Sequence, residues 1–332
     1  MKRFFKIFTI AFICFTILFS GALLGFKKFM RDDHVGEAID IPVKDDGNPS
    51  DEPEIKDQLK KAFIESKRIN FVLLGLEGMR SDTMMFVSFD PDDKGLDIIS
   101  IPRDTYYPRK GYDGPGKKKI NAAYGDHGAT GVKVVVSDLL LDVPVDYYVT
   151  VTYKGAASIV NAIGGVPITI PPQGMRYTDI YDDPPLYINF PPGPRVLNGV
   201  DAVKFLRYRK PDEGSGALDR DGDLGRIKAQ QEFIQSALRQ AMKLGNLPGF
   251  VSNSFKFVKT DMELQDMMRI ASNAISLDLD KVSMTTLPGE PKYIQGLSYF
   301  FNDPAETREV LSKIYGLEEK DISGEDISEE SN

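Results

Sequence analysis

The chain has 332 residues and a formal net charge of −8, which is long enough for one large domain with a substantial core and leaves room for a second small one. Its acidic balance argues against nucleic acid as a partner, because affinity for a phosphate backbone needs a basic face, so any anion site has to be local. A single cysteine, Cys14 in an apolar run, and two histidines, His34 and His127, exclude disulfides, thiolate catalysis and cysteine-ligated zinc from the body and argue against a Ser-His-Asp triad. Carboxylates, arginines, lysines and hydroxyls are left to carry the chemistry, with His127 as a helper.

Ile7 to Phe26 reads IFTIAFICFTILFSGALLGF, an uncharged stretch of bilayer-spanning length, and no small-x-small cleavage site follows it. It reads as a retained anchor, with a cleaved signal as the alternative. Lys2, Arg3 and Lys6 before the run balance Lys27, Lys28 and Arg31 after it, so charge alone does not orient it. The short tail and large body favour a single-pass protein of the cell membrane with its body extracytoplasmic.

Residues 1–30 are therefore tail and anchor, and 31–66 a polar spacer ending in a short helix from Glu54. The folded body covers 67–315, and 316–332 is an acidic disordered tail. In the body, strands are expected at Asn70–Leu74, Thr83–Asp90 and Leu96–Ile101, followed by a Gly- and Lys-rich loop and a helix at Gly131–Leu140. Next come a strand at Tyr147–Thr152, a helix at Tyr153–Ile163 and a strand at Val166–Ile170. A Pro-rich excursion, Pro171–Pro194, precedes a helix at Gly199–Leu206, and a long amphipathic helix begins near Asp223. Interleaved strands and helices give an α/β or α+β class with helices covering a sheet.

The segment RSDTMMFVSFDPDDKGLDIISIPRDT is punctuated as a hairpin. Antiparallel pairing sets the start of its first strand beside the end of its second, so Asp82 and Asp104 should meet at one sheet edge with Arg80 and Arg103 beside them. Paired carboxylates among cations suit a hard divalent ion and a phosphate, although each Arg-Asp pair alone also reads as a surface ion pair. Arg207 and Arg209, two positions apart in LRYRK, leave an extended segment on one face and suit a diphosphate; a solvated basic strand end is the plainer reading. Asp223, Arg226 and Gln230 share one helical stripe. Asp223 also fits a cap, and Gln230 and Gln231 fit exposed helix positions. Gly111 to Lys117 has the glycine and lysine of a nucleotide loop, but Lys118 stands where Ser or Thr must bind magnesium, so Lys119 and Asn121 remain as phosphate contacts only.

Taken together, RSDTMM at Arg80, SIPRDT at Ser100, KINAAY at Lys119, VDYYVTV at Val145, NAIGGVPITIP at Asn161, LNGVDAVKFLRYR at Leu197 and DLGRIKAQQ at Asp223 resemble the LytR-CpsA-Psr family of bacterial cell-envelope proteins. The resemblance implies a central mixed sheet and an extracytoplasmic phosphotransferase. Such an enzyme moves a glycopolymer, for example a teichoic acid or capsule, from a polyprenyl-diphosphate carrier to peptidoglycan. By the matched motifs Asp82 and Asp104 would hold Mg2+ or Mn2+. Arg103, Lys119, Arg207, Arg209 and Arg226 would hold the diphosphate, with Asp223 and Gln230 orienting them. The lipid would lie in an apolar tunnel, for which Val134–Val136 and Leu139–Leu141 are candidates beside the plainer reading of ordinary core. A polyprenyl-diphosphate hydrolase and a non-catalytic lipid-binding regulator stay open as alternatives.

Overall fold

The computed structural model describes residues 57–182, 185–208 and 223–317. The expected anchor, most of the spacer, Arg209 and the acidic tail from residue 318 lie outside the described residues. Among the described residues no helix is long and apolar enough to cross a membrane.

The expected hairpin is the centre of the fold. β1 (Ile69–Glu77) and β2 (Arg80–Asp90) run antiparallel, and β3 (Gly95–Ser100) returns beside β2 after a turn in which Lys94 takes a φ of 59°. β2 begins three residues before the predicted Thr83, because Ser81 and Arg80 still pair with Leu76 and Glu77. β4 (Tyr147–Thr152) lies parallel to β1, β10 (Val282–Thr286) lies parallel to β3, and β9 (Val258–Thr260) closes the other edge. The result is a mixed six-stranded sheet in the order β10-β3-β2-β1-β4-β9.

Both faces of the sheet are covered, as its period-two burial requires. Val72, Leu74, Met84, Phe86 and Ile99 pack against α1 (Gln58–Glu65), α2 (Ala123–Leu139) and α8 (Pro304–Ile314). Phe71, Leu73, Met85, Val87 and Ile98 face α5 (Asp223–Ala241) and α7 (Leu264–Ala274), which follows the short α6 (Leu247–Ser254). α1 meets the expectation of a helix at the end of the spacer and joins the body. Leu59 and Phe63 enter the core, and the capping Asp57 receives both Arg308 terminal nitrogens at 2.9 and 3.0 Å. α2 starts eight residues before the predicted Gly131; Gly128, at φ 66°, divides it into two helical pieces, and that break hid the first piece from a periodicity reading. Val135, Val136, Leu139 and Leu140 are buried between α2 and the sheet and belong to the core, whereas Val134 of the same run is exposed.

A second core joins α3 (Tyr153–Ala162), α4 (Gly199–Arg207) and α5 to two ribbons, β5 (Val166–Ile170) with β8 (Gly193–Leu197), and β6 (Met175–Asp179) with β7 (Leu186–Phe190). The Pro-rich excursion thus carries regular strands. Met175, Leu186, Ile188 and Phe190 point inward, an alternation obscured by the prolines on either side. α4 packs so closely on α3 that a Cβ at Gly199 would run into the Ala157 carbonyl oxygen, and the Gly199 amide donates to Asn161 Oδ1 at 2.8 Å. This contact fixes the helix whose last residue is Arg207. A hairpin of β11 (Gly289–Ile294) and β12 (Leu297–Asn302) lies against the loop after β3, where the Phe300 amide donates to the Asp104 carbonyl at 2.9 Å.

Candidate active site

The pairing of β1 with β2 slips by one residue. Gly75 faces Thr83 and Leu76 faces Ser81, which leaves Asp82 as the extra residue of a bulge. A bulge re-aims a side chain at a sheet edge, and Asp82 is turned to the turn that follows β3. Its Oδ1 accepts from Arg103 Nη1 at 2.9 Å. Arg103 Nε lies 3.9 Å from Asp104 Oδ1, which also pairs with Lys119 Nζ at 3.0 Å. The sequence placed the two aspartates in direct company. The structure sets Arg103 between them, giving an alternating run Asp82, Arg103, Asp104, Lys119. The Lys119 ammonium lies 5.7 Å from the centre of the buried Tyr299 ring, and the Asn121 amide donates to the Arg103 carbonyl at 3.2 Å.

α5 closes the site from the other face of the sheet. Arg226 Nη2 donates to the Asp82 main-chain carbonyl at 3.2 Å, and Gln230 Nε2 to Thr83 Oγ1 at 3.1 Å. The stripe drawn from the sequence is therefore correct for Arg226 and Gln230, but the reading of the glutamines as exposed is overturned. Gln230 is 5% exposed, and Gln231 donates to Ser100 Oγ at 3.1 Å and to the Thr285 carbonyl at 3.0 Å. Polar side chains on the inner face of a helix can be afforded only where the sheet edge supplies partners, a fact that helical periodicity does not encode. Asp223 begins α5; its side chain, like Arg209, lies outside the described residues.

Arg207 ends α4. Its Nη2 bonds Glu77 Oε1 at 2.9 Å and the Asp182 carboxylate, and its guanidinium carbon lies 4.8 Å from the Tyr153 ring centre. Glu77 also neighbours Asp82 and lowers its pKa, so Arg207 reaches the run through one acidic side chain. Arg80 is placed apart from the carboxylates: it is exposed, with Nη2 against Gly116 of the lysine loop. His127 packs edge-on to Tyr112 at 5.0 Å, beside the Arg109–Asp126 pair; burial, then the Arg109 charge, lower its pKa and keep it neutral. Motif reading missed Glu77, Asp182, Tyr153 and Thr83, since they become partners only through register and helix packing.

Burial alone would raise the Asp82 pKa; the hydrogen bond with Glu77 and the charges of Arg103 and Arg226 outweigh it and hold the carboxyl below the ordinary range. Burial likewise works against the Arg207 charge, but Asp182, Tyr153 and Glu77 raise its pKa. Among the described residues no cluster of three or more His, Cys, Asp or Glu is placed to hold a metal ion. Asp82 and Asp104 nevertheless supply hard oxygen donors, and Asn121 Oδ1 is buried without a hydrogen-bond partner. That donor set fits magnesium or manganese, which keeps several waters and takes phosphate oxygens as well. A cavity of about 270 Å3 opens beside Arg226, lined by Met175, Phe205, Tyr208 and Ala229 among others. It joins apolar side chains of the second core to the cationic site.

A model of the LytR_cpsA_psr family matches residues 43–315. The chain is 27% identical over 318 residues to the polyisoprenyl-teichoic acid–peptidoglycan teichoic acid transferase TagV of Bacillus subtilis (strain 168), a match that spans 90% of this chain and 76% of TagV. The crystal structure of B. subtilis TagV shares the fold, with a TM-score of 0.62 and 24% identity over 76% of this chain and 99% of that one. The TagU transferase of Oceanobacillus iheyensis is 28% identical over 319 residues, 90% of each chain. TagT, solved bound to LIIa-WTA, matches at a TM-score of 0.58 and 25% identity, covering 75% of this chain and 91% of TagT.

Proposed function

This chain belongs to the LytR-CpsA-Psr family, and from that premise we propose that it is a cell-wall glycopolymer transferase that uses a polyprenyl-diphosphate-linked glycan as donor and a peptidoglycan sugar hydroxyl as acceptor. The observation that carries the reading is the alternating run Asp82, Arg103, Asp104, Lys119. Arg226 is bonded to the backbone of that run and also lines a partly apolar cavity. A lipid diphosphate has the matching division into an apolar tail and an anionic head.

In the reaction the acceptor oxygen bonds to the glycan-bearing phosphorus while the bond from that phosphorus to the bridging oxygen breaks. The products are a phosphodiester and polyprenyl phosphate, which leaves with the electron pair. Such a displacement needs neutralised charge and in-line placement more than a covalent nucleophile. Arg103, Lys119, Arg207 and Arg226, with Arg209 by resemblance, supply fixed donors for the diphosphate oxygens, and the forked guanidinium groups suit paired acceptors. Gln230 holds Thr83 and so the strand beside the bulge, and Asp223 is assigned an orienting role by resemblance. Asp82 and Asp104, with Asn121 Oδ1, would hold magnesium or manganese, which when bound adds charge neutralisation on the phosphate oxygens. Asp82 stays ionised near neutral pH and can take the acceptor proton in passing. Its lowered pKa makes it a poor resting place, and the proton goes on to solvent.

We place the body on the outer side of the cell membrane, held by the Ile7–Phe26 segment, where carrier lipid and peptidoglycan meet. The test is polyprenyl phosphate release by the purified protein from a polyprenyl-diphosphate glycan, with magnesium and peptidoglycan fragments. Release that needs both the acceptor and Asp82 supports the transferase; release without acceptor marks a hydrolase.

A further inference from the structure

The ribbon of β11 and β12 stands on the loop that carries Asp104, and its base is fixed there. The Phe300 amide donates to the Asp104 carbonyl, the Tyr106 amide donates to the Phe300 carbonyl at 2.7 Å, and the Tyr106 ring stacks on Phe301 with centres 4.9 Å apart. Glu290 pairs with Phe301 and Ile294 with Leu297, so β11 runs on for about 13 Å past that stack at the usual rise of a strand. Gln295 and Gly296 close the ribbon with φ of 51° and 80°, a two-residue turn whose twist matches its strands. The tip is thus held in one shape.

That tip carries the wrong surface for water. β11 is exposed along its whole length, yet it ends in Tyr293 and Ile294, and Leu297 opens β12; the three are 79%, 41% and 38% exposed. Among the described residues none buries them. Lys292, one position back, is paired with Glu290 at 2.7 Å, so the pair adds no net charge behind the apolar group. Aliphatic side chains beside a tyrosine suit the boundary between lipid headgroups and acyl chains, where the aliphatics enter and the phenol stays at the wet edge.

The path of the chain brings a bilayer to the same end of the sheet. Asp57 caps α1 and is gripped by Arg308, which lies about 6 Å along α8 from the start of that helix. α8 begins at Pro304, just after β12 ends at Asn302. The segment that leads back to Ile7–Phe26 therefore joins the body beside the base of the ribbon, near the edge that holds Asp82 and Asp104.

Resting on the membrane placement given above, we propose that the β11–β12 tip is a membrane-docking element whose partner is the lipid bilayer itself. Tyr293, Ile294 and Leu297 enter the headgroup–acyl boundary of the outer leaflet, and the ribbon, fixed at its base to the Asp104 loop, sets the height of the charged run above it.

The chain contains no tryptophan, so a single introduced one reports its own surroundings. The full-length protein is reconstituted in phosphatidylcholine–phosphatidylglycerol vesicles, made either with ordinary lipid or with acyl-brominated lipid in both leaflets, and recovered by flotation. Tyr293→Trp should lose about half or more of its emission in the brominated vesicles, as a side chain seated ~5–10 Å into the boundary would. Adding Ile294→Ser and Leu297→Ser should abolish that loss. Ile275→Trp should show none: this exposed position ends α7, close in sequence to Asp278, whose amide donates to the Lys94 carbonyl in the β2–β3 turn at the opposite end of the sheet. Equal emission of Tyr293→Trp in the two kinds of vesicle, a loss that survives the two serines, or an equal loss at Ile275→Trp overturns the docking tip and leaves the membrane placement standing. A response of Tyr293→Trp to peptidoglycan fragments and not to lipid also overturns it and reassigns the tip to the acceptor. Failure of the wild type to float with the vesicles overturns both the tip and the placement.

Discussion

Arg226, on the fifth helix, donates to the main-chain carbonyl of Asp82 at 3.2 Å, so the helix that closes the site grips the backbone of the bulge that carries its central carboxylate. The guanidinium is buried, as is Gln230 one turn on. Position and charge at the bulge are thus set together: the same residue that fixes the Asp82 backbone also lowers the Asp82 pKa.

Replacement of Arg226 should therefore damage catalysis through both effects. Arg226→Ala is expected to lower kcat/KM for polyprenyl phosphate release by about 10²–10³-fold, the usual range for loss of one preorganised donor. Arg226→Lys should recover only part of this, because an ammonium is not a planar fork. Release rates measured beside thermal melts would separate the chemical loss from misfolding.

The folded-state pKa of Asp82 lies below its ordinary value of 3.8. Its ionised form thus favours the folded protein, with a contribution fully present above that ordinary value and lost as pH falls through the lower folded one. The difference in melting temperature between wild type and Asp82→Asn should be flat from about pH 8 to about pH 5 and shrink below about pH 4. A difference that grows on acidification would contradict the assigned direction.

Much of this was legible in the sequence, for local reasons. The turn residues Pro91 to Gly95 and the alternation on either side specify the hairpin, which brings Asp82 and Arg103 together. Spacing puts Arg226 and Gln230 on one stripe. The bulge was not legible, since a one-residue slip depends on the partner strand and leaves no compositional trace. Glu77 and Asp182 were missed for a related reason: each meets Arg207 only after the second core is packed. The inward role of Gln231 depends on Ser100 and Thr285, far away in sequence.

Gly199 is where tight helix packing bears on the site. A Cβ there would meet the Ala157 carbonyl, so Gly199→Ala should cost about 1–3 kcal/mol, read as a lowered denaturation midpoint. Because α4 carries Arg207, activity measured well below the melting temperature should fall as well. A stable variant with full activity would show that the two helices separate freely.

Gln231 offers the opposite split. Its amide ties α5 to Ser100 and Thr285 without meeting the charged run. Gln231→Leu should lose about 1–3 kcal/mol of stability through the unsatisfied partners, seen in urea unfolding, while kcat stays within about threefold of wild type.

The account turns on the bond that is made, and phosphorus-31 NMR of the reaction observes it directly. With magnesium, donor and peptidoglycan fragments, the wild-type protein should convert the diphosphate signals into one phosphodiester on the acceptor and one polyprenyl monophosphate in equal amounts, and Asp82→Ala should leave the diphosphate unchanged. A glycan monophosphate formed regardless of acceptor, or an unaltered rate in Asp82→Ala, would contradict it.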